Sequence, residues 1–165
     1  NLIVEALKRQ TYTNIELVVA EDNNTTQMKE YIASIDSLDV KHTYQEDKGV
    51  QKARSLNNAI LASTGEYLVF IDGDIIPYTT FIDGHVALSE EQKVLSGRRL
   101  NLNAELSKDM RNGKVKSWLL EKNLFFKAFS LVFDRNARFE QGIYINPKGF
   151  IYNAFIKNRK RNVSL

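Results

Sequence analysis

The chain has 165 residues, 43% of them hydrophobic and 10% aromatic, which suits one folded domain with a core and excludes a disordered or low-complexity segment. A net charge of +3, from 23 basic and 20 acidic residues, falls well short of a nucleic-acid-binding surface, so no nucleic-acid partner is expected. With no cysteine there is no disulfide framework, thiolate metal centre or cysteine nucleophile, and no apolar run reaches the roughly 20 residues of a membrane helix. The absence of cysteine and of a signal-peptide pattern leans towards a cytoplasmic setting.

Residues 1–10 (NLIVEALKRQ) read as the second half of a helix, ending in a turn at 11–14. Residues 15–20 (IELVVA) are short and apolar at nearly every position, the pattern of a parallel strand covered on both faces. A polar loop, EDNNTT, follows, and Asn24 or Thr25 is placed to cap a helix over about 26–35. Residues 40–44 form a short strand and 45–49 a loop. The spacing of Ala53, Leu56 and Ile60 then predicts a helix over 50–63 with those three on its apolar stripe and Gly65 beyond its end. Residues 67–71 (YLVFI) read as a second fully buried strand, followed by a helix near 79–89 and a strand at 93–96. Helical patterns cover 102–112 and 116–132. The aromatic series from Trp118 to Phe133 reads as helix core rather than a sugar platform, and 139–157 is aromatic-rich without a clear period.

Repeated β-loop-α units with short connections imply a layered α/β fold with a mostly parallel sheet flanked by helices. Ligands in such sheets bind beyond the carboxyl ends of strands. Two acidic loops lie there, Glu21–Asn24 and Asp72-Gly73-Asp74. Carboxylates at the end of a buried strand repel each other and resist desolvation unless a cation sits between them. Their hard oxygens suit Mg²⁺ or Mn²⁺, which in turn would hold phosphate oxygens, and Gly73 leaves room for a ligand beside the backbone. Alone, a DGD triplet is more often a solvated turn.

Three segments carry a resemblance. QTYTNIELVVAEDN at 10–23, GVQKARSLNNAI at 49–60 and GEYLVFIDGD at 65–74 occur in the order and at the spacing of the motifs of family 2 glycosyltransferases, and LSGRR at 95–99 is similar to the next strand of bacterial polysaccharide-synthesising members. The resemblance covers about residues 1–100. It implies a three-layer GT-A fold: a nucleotide-sugar-binding part over 1–100, and over 101–165 the helical, aromatic-rich start of an acceptor part, within one domain. The implied reaction is metal-dependent, inverting transfer of a sugar from a nucleotide-diphosphate donor, a UDP-sugar, to a glycan hydroxyl.

Carried over residue by residue, the resemblance makes Asp74 the direct ligand of Mn²⁺ or Mg²⁺. Asp72 becomes a donor-ribose and second metal contact, and Asp22 the acid that accepts from the uracil ring N–H. Arg54, Lys48 and Gly49 line the donor site. Each has a plainer reading: a turn for the two acids, compensation of a helix N-terminus for Asp22, solvated surface cations for Arg54 and Lys48. Glu21 stands where Asp is more usual, and Ser55 where Asn often follows the arginine. Arg98 and Arg99 read equally well as phosphate contacts or a charged strand end. His42 reads as a surface or edge residue and His85 as structural.

The family's first strand, with its P-x-[YF]-N segment, is not found in these residues, which reads as truncation at both ends. Its absence would leave edges unpaired beside 15–20 and 67–71, to be covered by dimerisation or a re-paired sheet. The general base is expected beyond Leu165, because Glu105, Asp109, Glu121, Asp134 and Glu140 are scattered. On this reading the segment by itself is inactive. The basic run 157–161 is either a solvated segment or a peripheral contact with the inner face of the plasma membrane. Two other readings remain open: a nucleotidyltransferase, which would need a Gly-rich basic loop near the start, and a non-catalytic nucleotide- or carbohydrate-binding domain.

Overall fold

The structure, a computed structural model, describes residues 2–97 and 99–121. These form α1 (Leu2–Leu7), β1 (Glu16–Glu21), α2 (Thr26–Ala33), β2 (Asp39–Tyr44), α3 (Lys52–Ala62), α4 (Phe81–Leu88) and α5 (Ala104–Arg111), with a further helical turn over 117–121. The chain divides into two compact units, Tyr12–Phe70 and a second made of Asn1–Thr11 with the chain from Ile71 onwards. This division follows packing, whereas the donor and acceptor division expected from the sequence is one of role.

In the unit Tyr12–Phe70, β1 and β2 pair in parallel, with Glu16 opposite Asp39 and Glu21 opposite Tyr44. The β-α-β connection through α2 is the crossover that parallel strands require. The Thr25 hydroxyl accepts from the Met28 amide at 3.3 Å and caps α2, one of the two residues the sequence offered for that role. α3 lies against both strands, but its buried stripe is Ser55 and Ala59, not Ala53, Leu56 and Ile60. Both stripes have helical spacing. The one carrying small residues faces the strands, where close approach matters more than hydrophobicity, and Ile60 remains 40% exposed.

One cation pins this arrangement. Lys41 of β2 pairs with Glu16 of β1, and its ammonium donates to the Ala62 carbonyl at 3.1 Å, at the C-terminus of α3, where the helix dipole favours positive charge. Glu16 also accepts from the Thr64 amide at 2.9 Å and hydroxyl at 3.0 Å. The bond from Lys41, then the Thr64 amide, hold the Glu16 carboxyl down at about 2 against its ordinary 4.5.

Two expected strands do not form. Residues 67–71 have no ladder partner among the described residues, and Tyr67, Leu68 and Phe70 are 36, 40 and 57% exposed. Residues 93–96 are likewise irregular. An apolar run becomes a buried strand only if a neighbouring strand offers backbone partners, and the described sheet ends at β1 and β2. β1 is also half-buried rather than covered on both faces.

The other unit has the larger apolar core. Met110 of α5 and Leu120 are buried against Leu2, Ile76, Leu100, Leu102, Leu106 and Val115. Arg9 lies over the Trp118 ring at 3.5 Å from its centroid. Asn103 caps α5 by accepting from the Leu106 amide at 2.8 Å. A buried glutamine organises the segment before α4. The Gln10 amide nitrogen donates to the Tyr78 carbonyl at 2.7 Å and the Ala6 carbonyl at 3.3 Å, and its oxygen accepts from the Ile82 amide at 3.0 Å. It thereby satisfies a first-turn donor of α4, whose own N-cap, Thr80, makes no side-chain bond. Glu121 accepts from the Thr79 amide and hydroxyl at 3.1 and 2.9 Å. Burial, then the charge of Glu121, push the Tyr78 phenol up to about 12. The remainder of the helix expected over 116–132, the aromatic segment 139–157 and the basic run 157–161 lie outside the described residues.

Two measurements check this account. Because Glu16 has a lower pKa folded than unfolded, its stabilising effect is complete above about 4.5 and is lost as pH falls from there towards about 2. The urea midpoint should fall across that window, and Glu16→Gln should flatten that part of the profile while lowering stability at neutral pH. Replacing Gln10 by Leu strands the Tyr78 carbonyl and the Ile82 amide, and should cost about 2–4 kcal/mol in urea unfolding.

Candidate functional site

The register of β1 on β2 decides what meets at their carboxyl ends. Glu21 lies opposite Tyr44, so the next residue on each strand, Asp22 and Gln45, leave the sheet side by side. The Asp22 Oδ1 accepts from Gln45 Nε2 at 2.5 Å, and its Oδ2 accepts from the Gln51 amide at 2.6 Å, at the N-cap of α3. Gln45 is 6% exposed. Its Nε2 also faces the Gln51 carbonyl at 3.4 Å, its Oε1 accepts from Asn58 Nδ2 at 3.3 Å, and its backbone amide donates to the Asn23 carbonyl at 3.2 Å.

Thr25 caps α2, and the Asp22 carboxylate, an acceptor held on both oxygens, lies at the N-terminus of α3, so the plainer reading of Asp22 as compensating a helix N-terminus agrees with the structure. Arg54 is exposed on α3, and its Nη1 donates to the Gln51 Oε1 at 3.4 Å, which joins it to the same cluster. Lys48 pairs with Glu46 at 2.8 Å, with side chains 57 and 77% exposed, a solvated contact of little energetic weight. Gly49 has φ +82°, the left-handed region that glycine adopts without strain, and its amide donates to Asp47 Oδ1 at 3.1 Å.

Glu21 and His42 make a second cluster beside the first. Burial raises the Glu21 carboxyl, but the Thr25 hydroxyl at 2.6 Å, the Thr25 amide at 3.1 Å and His42 at 3.0 Å outweigh it, and the net shift is downward. Of the two sequence readings of His42, surface or edge residue, the edge holds and the surface does not: it lies on β2, an edge of the described sheet, but its side chain is 12% exposed, packs against Glu21, and its ring lies 5.3 Å from that of Tyr44.

In the other unit, Asp72, Gly73 and Asp74 form an exposed turn closed by the Ile75 amide donating to the Asp72 carbonyl at 3.0 Å. A Cβ at Gly73 would meet nothing within 4 Å, so the turn is open to a ligand. The donors are hard carboxylate oxygens, which fit a divalent cation such as Mn²⁺ or Mg²⁺. Among the described residues no group of three or more His, Cys, Asp or Glu gathers to hold a metal. Arg98 lies outside the described residues and Arg99 is exposed. His85 packs against Phe81 with ring centroids 4.6 Å apart, and burial pushes it down, in keeping with a structural role.

The sequence assigns no role to Gln45, Gln51 or Asn58. The signal for Gln45 lay in the strand lengths: a polar amide directly after β2, at the same end as Asp22, becomes its neighbour once the register is known. Ser55 is 4% exposed, and its buried hydroxyl has no hydrogen-bond partner among the described residues.

An acceptor carboxylate thus lies at the ends of the parallel strands of one unit, and an exposed acidic turn, open beside its glycine, belongs to the other. Residues 2–147 match the profile of glycosyl transferase family 2, and the chain belongs to that family. Its fold is accordingly the GT-A type. Over 94 residues it is 35% identical to the UDP-Glc:alpha-D-GlcNAc-diphosphoundecaprenol beta-1,3-glucosyltransferase WfaP of Escherichia coli, an alignment that covers 55% of this chain and 36% of that protein. Over 82 residues it is 33% identical to glycosyltransferase GlyG of Streptococcus pneumoniae serotype 4, covering 48% and 27%. The alignments thus span about a third of the length of these relatives. No solved structure matches the chain significantly.

A buried hydroxyl without a partner carries a desolvation cost that Ala does not. Ser55→Ala should therefore leave the thermal midpoint unchanged or raise stability by up to about 1 kcal/mol, measured by calorimetry.

Proposed function

We propose that this chain provides the donor-binding part of a transferase that moves a sugar from a UDP-sugar to a hydroxyl of a glycan acceptor, with inversion at the anomeric carbon. The observation that supports it best is Asp22, held at the strand ends as a fixed acceptor by Gln45 and the Gln51 amide. Uracil carries a ring N–H that such an acceptor recognises, and the E. coli relative's name gives a UDP-linked donor. Arg54, anchored on Gln51 and exposed, is available to the donor's phosphates. Lys48 and Gly49, on the loop before α3, complete the donor-binding set.

Asp74, with Asp72, would hold Mn²⁺ or Mg²⁺ on the open turn. When bound, the cation offsets the negative charge that develops on the departing diphosphate. The two carboxylates position it, and the absence of a side chain at Gly73 gives the diphosphate access to the turn. The same relative's acceptor is undecaprenol-linked. We accordingly place the work at the inner face of the plasma membrane, by peripheral contact, in the making of a surface polysaccharide. Among the described residues no helix is long and apolar enough to cross a membrane.

The test is turnover by the full-length protein, with UDP-glucose as the first donor and a lipid-diphosphate-linked GlcNAc as the first acceptor. In Mn²⁺, Asp74→Ala should lower kcat/KM by about 10²–10³-fold. Undiminished turnover in that variant would contradict the role given to the turn.

A further inference from the structure

The Asp22 carboxylate does not reach its place unaided. The partners of Gln45 allow only one orientation of its amide. On one side are the Asp22 carboxylate at 2.5 Å and the Gln51 carbonyl at 3.4 Å, both acceptors only, so the NH₂ group must face them. Its oxygen then faces Asn58, which must present its own NH₂, at 3.3 Å. The result is a directional relay, from Asn58 on α3 through the buried Gln45 to Asp22 beyond β1. Each donor in it polarises the next.

This relay leaves Asp22 in a defined state. Two of the roughly four lone-pair sites of its carboxylate are taken, one on each oxygen, by Gln45 and by the Gln51 amide. With a donor on each oxygen the plane of the carboxylate is fixed, and on the proposed reading its further acceptor capacity serves a donor from the nucleotide. A base with a ring N–H, uracil, satisfies that acceptor. Cytosine presents a ring nitrogen acceptor at the equivalent atom and sets lone pair against lone pair.

We propose that Gln45, aligned by Asn58, is a positioning residue that sets the pyrimidine specificity of the donor site by holding Asp22 as a fixed acceptor. The proposal rests on the reading of Asp22 as the base-recognising carboxylate, and it adds two residues that neither the sequence motifs nor the relatives assign. Gln45 acts through Asp22 and need not touch the nucleotide.

The experiment is calorimetric titration of UDP and of CDP, in Mn²⁺, into the full-length protein and four variants, with thermal melting of each. Gln45→Met keeps the volume and removes the relay. Asn58→Asp, on the half-buried face of α3, replaces the donor to Gln45 with an acceptor and turns the amide the wrong way. Asp22→Asn removes the charge, and Gln45→Met is repeated in that background. Wild type should prefer UDP to CDP. Gln45→Met and Asn58→Asp should each weaken UDP by about tenfold with CDP unchanged, so the ratio collapses, and Gln45→Met should add nothing once Asp22 is Asn. A structural role alone would weaken both nucleotides in parallel. Parallel losses, or an unchanged ratio in both relay variants, overturn the positioning role and leave the donor reading standing. A wild type without a preference for UDP, or one whose preference survives Asp22→Asn, overturns the donor reading and this inference with it.

Discussion

The parallel pairing of β1 with β2 is the constraint on which the candidate site depends. It brings the last residues of two strands, more than twenty positions apart in sequence, to the same edge, and so turns Asp22 and Gln45 into neighbours. Had the register slipped by one residue, every side chain of β1 would change face, and Gln45 would no longer lie opposite Asp22. The Lys41 ammonium, set between Glu16 and the last turn of α3, works at the other end of the same strands. A charged pin at one end and a hydrogen-bonded relay at the other hold a two-stranded sheet whose apolar contacts are modest.

The other unit solves a different problem by similar means. The segment between the acidic turn and α4 is irregular, and irregular backbone needs partners. Gln10 and Glu121 supply them, one from the end of α1 and the other from the helical turn over 117–121. Gln10 stands in a motif that the family resemblance highlights, and its visible work is structural: it caps α4. Glu121, one of the scattered acids considered as a base, is taken up by Thr79. A motif residue near a site is thus not automatically part of its chemistry.

Much of the fold was legible in the sequence wherever the determinants were local. β1, β2 and the helices fall where periodicity and caps place them, and Thr25 caps α2 as expected. The failures are equally physical. Residues 67–71 carry a strand's composition, but strand formation needs a partner edge, and composition does not report whether one is there. On α3, two stripes share helical spacing, and only packing against the strands selected Ser55 and Ala59 over the more apolar set. In the candidate site, Asp22 was legible through a motif. Gln45 and Asn58 were not, because their roles arise from a register and an amide orientation that exist only in three dimensions. The acidic turn was legible as a motif, and the structure adds that it is exposed and open beside Gly73.

The chain belongs to glycosyl transferase family 2, and the account proposed for it gives Asp22 the recognition of a donor's base and Asp74 the holding of a cation. The measurement that tests this most directly is calorimetric titration of UDP into the full-length protein with Mn²⁺ and again in excess chelator, with ADP as the control nucleotide. The account predicts UDP binding that requires the metal, and little or no binding of ADP in either condition. UDP binding of equal strength in chelator, or ADP binding as tightly as UDP, would contradict it.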